Sequence, residues 1–96
     1  ITDSKKIPIS NSLKENFPNP FNPVTSIKFD IKTPGYVTLM VYNSRGQEVA
    51  TLVKNEFVTS GTKEVTFNGS DLASGIYFYT LYAVDFIETR KMMLIK

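Results

Sequence analysis

The side chains of this chain that could act as acids, bases or nucleophiles do not form a catalytic pattern. The 96 residues include no histidine and no cysteine, which excludes the commonest general base, the commonest zinc ligand and all thiol chemistry. No serine lies in a Gly-x-Ser-x-Gly nucleophile motif. Asp30, Asp71 and Asp85 lie at expected turns or on polar strand faces, which is typical of solvated carboxylates. These residues predict a protein that is not an enzyme and needs no cofactor.

Two groups of side chains are candidates for binding a ligand. The segment Asn68–Asp71 offers oxygen atoms, but the spacing of a calcium loop is missing, so a turn is favoured over a metal site. Tyr77, Tyr79 and Tyr82 alternate imperfectly along one expected strand. Such rings are typical of a stacking platform for sugars or single-stranded nucleic acid, and equally of the core of a β-sandwich. The platform predicts that at least two rings are exposed and coplanar, whereas core packing predicts burial.

The charge balance argues against nucleic-acid and membrane partners. The formal net charge is +2, and the basic residues are scattered apart from short clusters at Lys5-Lys6 and at Arg90-Lys91 with Lys96. Phosphate binding needs a more concentrated basic surface. No run approaches the roughly 20 apolar residues of a membrane-spanning helix. We therefore expect no nucleic-acid partner and no direct insertion into a membrane.

From residue 24 onward the chain alternates between strand and turn patterns. Residues 27–31 alternate apolar and polar side chains, which indicates a half-buried strand, and residues 76–84 are apolar on both faces, which indicates a central strand. Thr33–Tyr36 predicts a type II turn with glycine at its third position, and Gly46 is expected to supply positive φ in the next turn. Turn signals recur about every 8–12 residues, which is typical of all-β sandwiches. The pattern predicts an antiparallel β-sandwich of about seven short strands.

The chain is expected to consist of an irregular first segment followed by one folded domain. Residues 1–12 lack periodicity and are interpreted as a linker or irregular lead-in, and residues 13–96 as one domain. Because the first residue is Ile1 and not methionine, we expect a piece of a longer protein. Near the start of the domain, three prolines lie within six positions: Pro18, Pro20 and Pro23. They exclude a helix and a central strand in this segment. Phe17 and Phe21 lie among them and are expected to pin this loop to the sandwich.

This proline-rich segment resembles the opening of the type A C-terminal sorting domain of type IX secretion cargo. The family opening has Leu, two variable residues, Asn, an aromatic residue, Pro-Asn-Pro-Phe-Asn-Pro and, one residue later, Thr. The matching residues here are Leu13, Asn16, Phe17, Pro18, Asn19, Pro20, Phe21, Asn22, Pro23 and Thr25. Later blocks match in order: Val41-Tyr42 with Gly46, then Gly61, then Leu72–Tyr77, then Arg90–Lys96. Phe17 and Phe67 depart mildly, since the family often has Tyr and Trp there.

The resemblance implies an immunoglobulin-like β-sandwich that directs a larger cargo protein through type IX secretion. The cargo would be the N-terminal part of the same chain, carried from the periplasm across the outer membrane to the cell surface or the medium. The implied partners are the secretion translocon and a sortase-like peptidase of the outer membrane. The residues implied in recognition are Gly75, Ile76, Tyr77, Lys91 and Lys96.

The final strand, expected over residues 86–96, is open to two interpretations. It could present an exposed edge for strand addition by a partner or by another copy, or Lys91 and Lys96 could simply protect that edge. Two alternatives to sorting also stay open. One is a structural spacer like the similar domain of flagellar hook-capping proteins, and the other is a carbohydrate-binding module that uses the three tyrosines.

Overall fold

A computed structural model describes residues 8–96 of the chain, and within these residues the secondary structure is entirely β. Seven strands are present in this part of the chain: β1 Ser12–Leu13, β2 Val24–Ile31, β3 Gly35–Asn43, β4 Glu48–Val58, β5 Gly61–Asn68, β6 Gly75–Ala83 and β7 Phe86–Leu94. No helix that could cross a membrane occurs in the described range. The greater part of the predicted lead-in, residues 1–7, lies outside the described residues.

The strands form two antiparallel sheets that pack face to face. One sheet has three strands in the order β1-β2-β5, and the other has four in the order β4-β3-β6-β7. The predicted all-β sandwich is confirmed. The fourth strand, β4, pairs with β3 of the second sheet, whereas in an immunoglobulin constant domain the corresponding strand joins the first sheet.

The core lies between the sheets because apolar residues recur at every second position of the central strands. Side chains alternate between the two faces of a strand, so the inward faces of β2, β3 and β6 are apolar. Their fully buried residues are Ile27, Phe29, Ile31, Val37, Leu39, Val41, Tyr77, Tyr79 and Leu81. From the sandwich edges, Leu13, Phe21, Val53, Phe67, Met92 and Leu94 complete this core.

The proline-rich segment runs along one edge of the sandwich and changes sheets. Phe17 pairs with Ser26 of β2 through two backbone hydrogen bonds of 2.9 and 3.0 Å. Four residues later, the Phe21 N–H donates to the Met93 carbonyl, and the Phe21 carbonyl accepts from the Ile95 N–H, each at 2.9 Å. Phe21 is buried and Phe17 is 80% exposed. The expected pinning of the loop is therefore confirmed for Phe21, whereas Phe17 is held by its backbone alone.

The turn before β3 differs from the prediction. A type II turn over Thr33–Tyr36 requires positive φ at Gly35, and Gly35 is not among the glycines with positive φ. Gly35 instead begins β3 and pairs with Val58 of β4. Pairing with a distant strand thus overrides the local turn preference of the Pro-Gly pair.

A recognition corner built on the proline-rich segment

A buried polar cluster holds the start of the proline-rich segment against the sandwich. The Asn16 side-chain amide donates to Thr25 Oγ1 at 3.0 Å and to the Pro18 carbonyl at 3.2 Å. The Thr25 hydroxyl donates to the same carbonyl at 2.8 Å. Asn16 and Thr25 are both almost fully buried, and Asn16 Oδ1 has no protein partner. These bonds satisfy a loop carbonyl that lies outside the sheet ladders, which accounts for the combination of Asn, Pro and Thr at this spacing.

The same segment covers one end of the edge of β7. Asn19 Oδ1 accepts a hydrogen bond from the Met93 N–H at 3.0 Å, next to the backbone pairing of Phe21 with Met93 and Ile95. In the antiparallel β6–β7 ladder, the backbone groups of residues 87, 89, 91, 93 and 95 point away from β6. The expected exposed edge of the final strand is therefore limited to residues 87–91, because the proline-rich segment covers residues 93 and 95.

Farther along β7, two charged side chains hold Leu13 across the gap between the sheets. The Leu13 N–H donates to Glu88 Oε1 at 3.2 Å, and the Leu13 carbonyl accepts from Arg90 Nε at 2.6 Å. Beside them, the Tyr79 hydroxyl donates to the Lys14 carbonyl at 2.7 Å. These bonds join β1, and Lys14 directly after it, to the other sheet. The leucine of the motif is therefore fixed through its backbone as well as by burial of its side chain.

Tyr79 makes the stability of the domain sensitive to high pH. Burial raises the pKa of its hydroxyl from 10.0 to about 12, because the phenolate would be poorly solvated. The unfolded chain releases this proton near pH 10, so its stabilising contribution is complete below pH 10 and is lost as the pH rises through 12.

We expect Tyr79→Phe to flatten the fall in unfolding free energy between pH 10 and 12, an effect of up to about 2 kcal/mol at the upper end. Urea unfolding at a series of pH values measures this. Tyr36→Phe is the matched control, because the Tyr36 ring is 61% exposed. If both variants keep the same slope as the unsubstituted chain, another group causes the alkaline loss.

Lys96 closes the loop between β5 and β6. Its Nζ donates to the carbonyls of Ser70 and Leu72 at 2.7 and 2.8 Å, and its N–H donates to Ser74 Oγ at 3.0 Å. The loop ends at Gly75, whose φ of 154° is a backbone conformation that L side chains rarely adopt. Lys96 is therefore engaged inside the domain, and it orders the loop that leads into Ile76.

These elements meet at one corner of the sandwich, which we call the recognition corner. It is a shallow depression of about 260 Å³ lined by Asn19, Pro20, Ile76, Lys91, Met92 and Met93. Ile76 pairs with Met93 across the β6–β7 ladder, and Lys91 and Met93 are exposed. The structure thus brings together Ile76 and Lys91, which the family resemblance implied in recognition, with Asn19 and Pro20 from the opening motif. The contribution of Asn19 and Pro20 was missed, because no local pattern shows that the first segment lies beside the last strand.

Tyr77 does not join the recognition corner. Its ring is buried, and its hydroxyl donates to the Ala73 carbonyl at 2.7 Å. Tyr79 is also fully buried, which leaves only Tyr82 partly exposed at 36%. The tyrosine platform is therefore wrong, because it needs at least two exposed rings. Burial of Tyr77 and Tyr79 follows from their inward alternation on a strand that is covered by the opposite sheet.

The remaining motif residues shape turns or line the edge. Gly46 has a φ of 81°, as predicted, in a turn where Asn43 Oδ1 accepts from the N–H groups of Arg45 and Gln47. Gly61 opens β5 opposite Ile31. Asn22 is exposed, and the peptide bonds that precede Pro18, Pro20 and Pro23 are cis. Apart from Pro20, these residues lie outside the depression.

The described residues do not assemble a catalytic or metal-binding group. Within residues 8–96 no cluster of three acidic side chains could hold a metal ion. Asn68 Oδ1 accepts from the Ser70 N–H at 2.9 Å, which confirms the turn in that loop. Ser60 and Lys63 have the spacing of a Ser-x-x-Lys pair, but Ser60 donates to the Lys32 carbonyl and Lys63 donates to Thr59. They do not form a nucleophile with its base.

Comparison with known proteins identifies a family for this sandwich. Residues 15–96 match the family described as "Secretion system C-terminal sorting domain". Searches of curated proteins and of solved structures return no match. The matched range includes the buried Asn16–Thr25 cluster, the loop closed by Lys96 and the recognition corner, and it agrees with the opening motif. The chain belongs to the C-terminal sorting domains of type IX secretion, which interact with the secretion machinery and export a cargo of the same chain to the cell surface or the medium.

Proposed function

We propose that the secretion machinery binds this domain at the recognition corner, through Ile76, Lys91 and Met93 together with Asn19 and Pro20. The observation that supports this most strongly is the joining of two distant parts of the chain in one depression. The opening motif and the final strand are both features of the sorting family, and neither forms this surface without the other.

The corner has the composition of a small binding site. Its lining is mostly apolar, with Pro20, Ile76, Met92 and Met93, and the exposed Lys91 supplies a positive charge. At this end of β7, the backbone groups of residues 87–91 that point away from β6 have no strand partner among the described residues. A partner with an extended segment can add to this short edge while an apolar side chain enters the depression, which is recognition by strand addition.

Gly75, Tyr77 and Lys96 act in this proposal as positioning residues. Lys96 and Tyr77 both bind carbonyl groups of the Ser70–Ser74 loop, and Gly75 allows the chain to turn from that loop into β6. They hold Ile76 in place without facing the partner.

The wider pathway follows from the sorting role. The cargo is the preceding part of the chain, which reaches the periplasm, crosses the outer membrane with this domain attached, and is released or anchored by a sortase-like peptidase. The domain itself catalyses none of these steps.

The test is export of a reporter. Residues 1–96 are fused behind a periplasmically targeted fluorescent protein in a bacterium that has type IX secretion. We expect the fusion to reach the surface or the medium, and the double variant Lys91→Ala, Met93→Ala to lower exported reporter at least about tenfold, equivalent to about 1.4 kcal/mol of lost binding. Both residues are exposed, so the variant should fold. Removal of residues 86–96 is unsuitable, because it takes Met92 and Leu94 out of the core.

The matched control is Lys28→Ala, Thr66→Ala on the outer face of the three-stranded sheet, where both residues are exposed. It should export as well as the original fusion. Equal export of both folded double variants would refute the recognition corner. A folded native fusion that stays in the periplasm beside a working native tag would instead favour the spacer.

A further inference from the structure

The outer face of the four-stranded sheet is unusually apolar for a solvent-facing surface. Its large apolar side chains are Tyr36, Met40, Tyr42, Phe57, Ile76, Phe78, Tyr82, Ile87 and Met93. Thr38, Thr51, Thr80 and Thr89 lie between them on the same face. Ile87 is 69% exposed and Phe57 57%. The outer face of the three-stranded sheet is polar by contrast, with Lys28 opposite Glu64 and Asp30 opposite Thr62. Exposed apolar patches of this extent mark interaction surfaces.

One row across this apolar face carries opposite charges at its two ends. Tyr42 of β3 pairs with Glu48 of β4 on one side and with Phe78 of β6 on the other, and Phe78 pairs with Lys91 of β7. The row therefore reads Glu48, Tyr42, Phe78, Lys91. Glu48 is held on this face by a hydrogen bond from Thr51, at 3.1 Å.

Two such faces can be related by a two-fold axis that lies between them and runs parallel to the strands. In the second copy, the row then runs across the strands in the opposite direction. Glu48 of each copy then faces Lys91 of the other, and Tyr42 faces Phe78. We propose that this face binds a second copy of the chain in a symmetric, face-to-face dimer with two Glu48–Lys91 ion pairs. Symmetry of this kind requires a self-complementary surface, and the row provides one in its charges.

The geometry tolerates the twist of real sheets. Packed sheets align within about 30°. Glu48 and Lys91 lie about 7 Å from the middle of the row, so a crossing angle of this size moves each of them only about 4 Å from its partner in the other copy. A lysine side chain is long enough to bridge that displacement. Tyr42 and Tyr82 are already joined hydroxyl to hydroxyl at 2.7 Å, so the centre of the face is ordered before any partner arrives.

The area of the face predicts a weak dimer. Four strands at about 4.8 Å spacing and about 30 Å length give roughly 550 Å² per copy, or about 1,100 Å² in total, close to the lower limit for specific interfaces. The net charge of +2 opposes association only slightly. Dimers should therefore form in concentrated protein, and Lys91 cannot contact the secretion machinery while it is paired in a dimer.

Analytical ultracentrifugation of the 96-residue chain over a concentration series tests the proposal. The average mass should rise with concentration towards that of a dimer. Lys91→Glu or Glu48→Lys alone places like charges opposite each other twice, and each should weaken dimerisation at least about tenfold. The double variant Lys91→Glu, Glu48→Lys exchanges the charges and should restore most of the dimerisation.

Lys28→Glu, on the opposite outer face, is the control and should leave dimerisation unchanged. A chain that stays monomeric at the highest soluble concentration, or a charge exchange that restores nothing, overturns the proposal. Glu48→Lys tests the dimer separately from the recognition corner, because Glu48 lies outside that depression, whereas Lys91 belongs to both surfaces. Loss of reporter export by Glu48→Lys in a monomeric domain would show that another protein occupies this face and would also overturn the proposal.

Discussion

Replacement of Phe21 by alanine is expected to lower the unfolding free energy by about 3–5 kcal/mol, which is the range for a large aromatic side chain removed from a core. Phe21 is 1% exposed, and its ring meets Phe67 edge to face with centroids 6.0 Å apart. The change leaves a cavity where the proline-rich segment meets the sandwich. Small domains are stable by only about 5–15 kcal/mol, so the variant should be marginal. Urea unfolding followed by circular dichroism measures the difference.

Phe17→Ala is the matched control for this prediction. It removes the same ring from the same motif, but at a position that is 80% exposed, and it should change stability by less than about 0.5 kcal/mol. Similar losses for the two variants would show that the segment is held by its backbone bonds and not by burial of Phe21. The recognition corner should lose its shape in the Phe21 variant alone.

Replacement of Thr25 by valine is expected to lower the unfolding free energy by about 1–3 kcal/mol, although the side chain keeps its shape. Valine cannot donate to the Pro18 carbonyl or accept from Asn16. The Asn16 side chain is buried and the bond to the Pro18 carbonyl is partly buried, so water cannot fully replace both lost bonds. Thermal unfolding, with the denaturant midpoint as a second measurement, checks the prediction.

Thr25→Ser keeps the hydroxyl and removes only a methyl group, so it separates hydrogen bonding from packing. We expect the serine variant to lose less stability than the valine variant. The opposite order would mean that the methyl contacts of Thr25 are worth more than its hydrogen bonds, and that the Asn16 cluster contributes little to holding the segment.

Much of the fold followed from local patterns. Two-residue alternation in residues 27–31 and the apolar run over residues 76–84 indicated strands, because buried strand faces need apolar side chains at every second position. Gly46 was assigned to its turn correctly, because positive φ is a property of single residues. The Pro-Gly turn before β3 was assigned wrongly, because the pairing of Gly35 with Val58 depends on a strand far along the chain.

The candidate site was only half visible in the sequence. Ile76 and Lys91 were named through the family resemblance, and the structure places both in the same depression. Asn19 and Pro20 were known as motif residues, but their place beside Met93 required the chain to cross from one sheet to the other. Tyr77 was also named through the family resemblance, but its ring is buried and its hydroxyl binds the carbonyl of Ala73 in the preceding loop.

The sequence by itself determined the class of fold, the absence of histidine and cysteine chemistry, and the membership suggested by the segment from Leu13 to Thr25. These are properties of residue type and short spacing. Only the tertiary structure decided which strand edge is open, which tyrosines are buried, and that Glu48 and Lys91 end a single row. Those features depend on which distant strands become neighbours. Periodicity along one strand shows which residues share a face, but not which strand or sheet packs against that face.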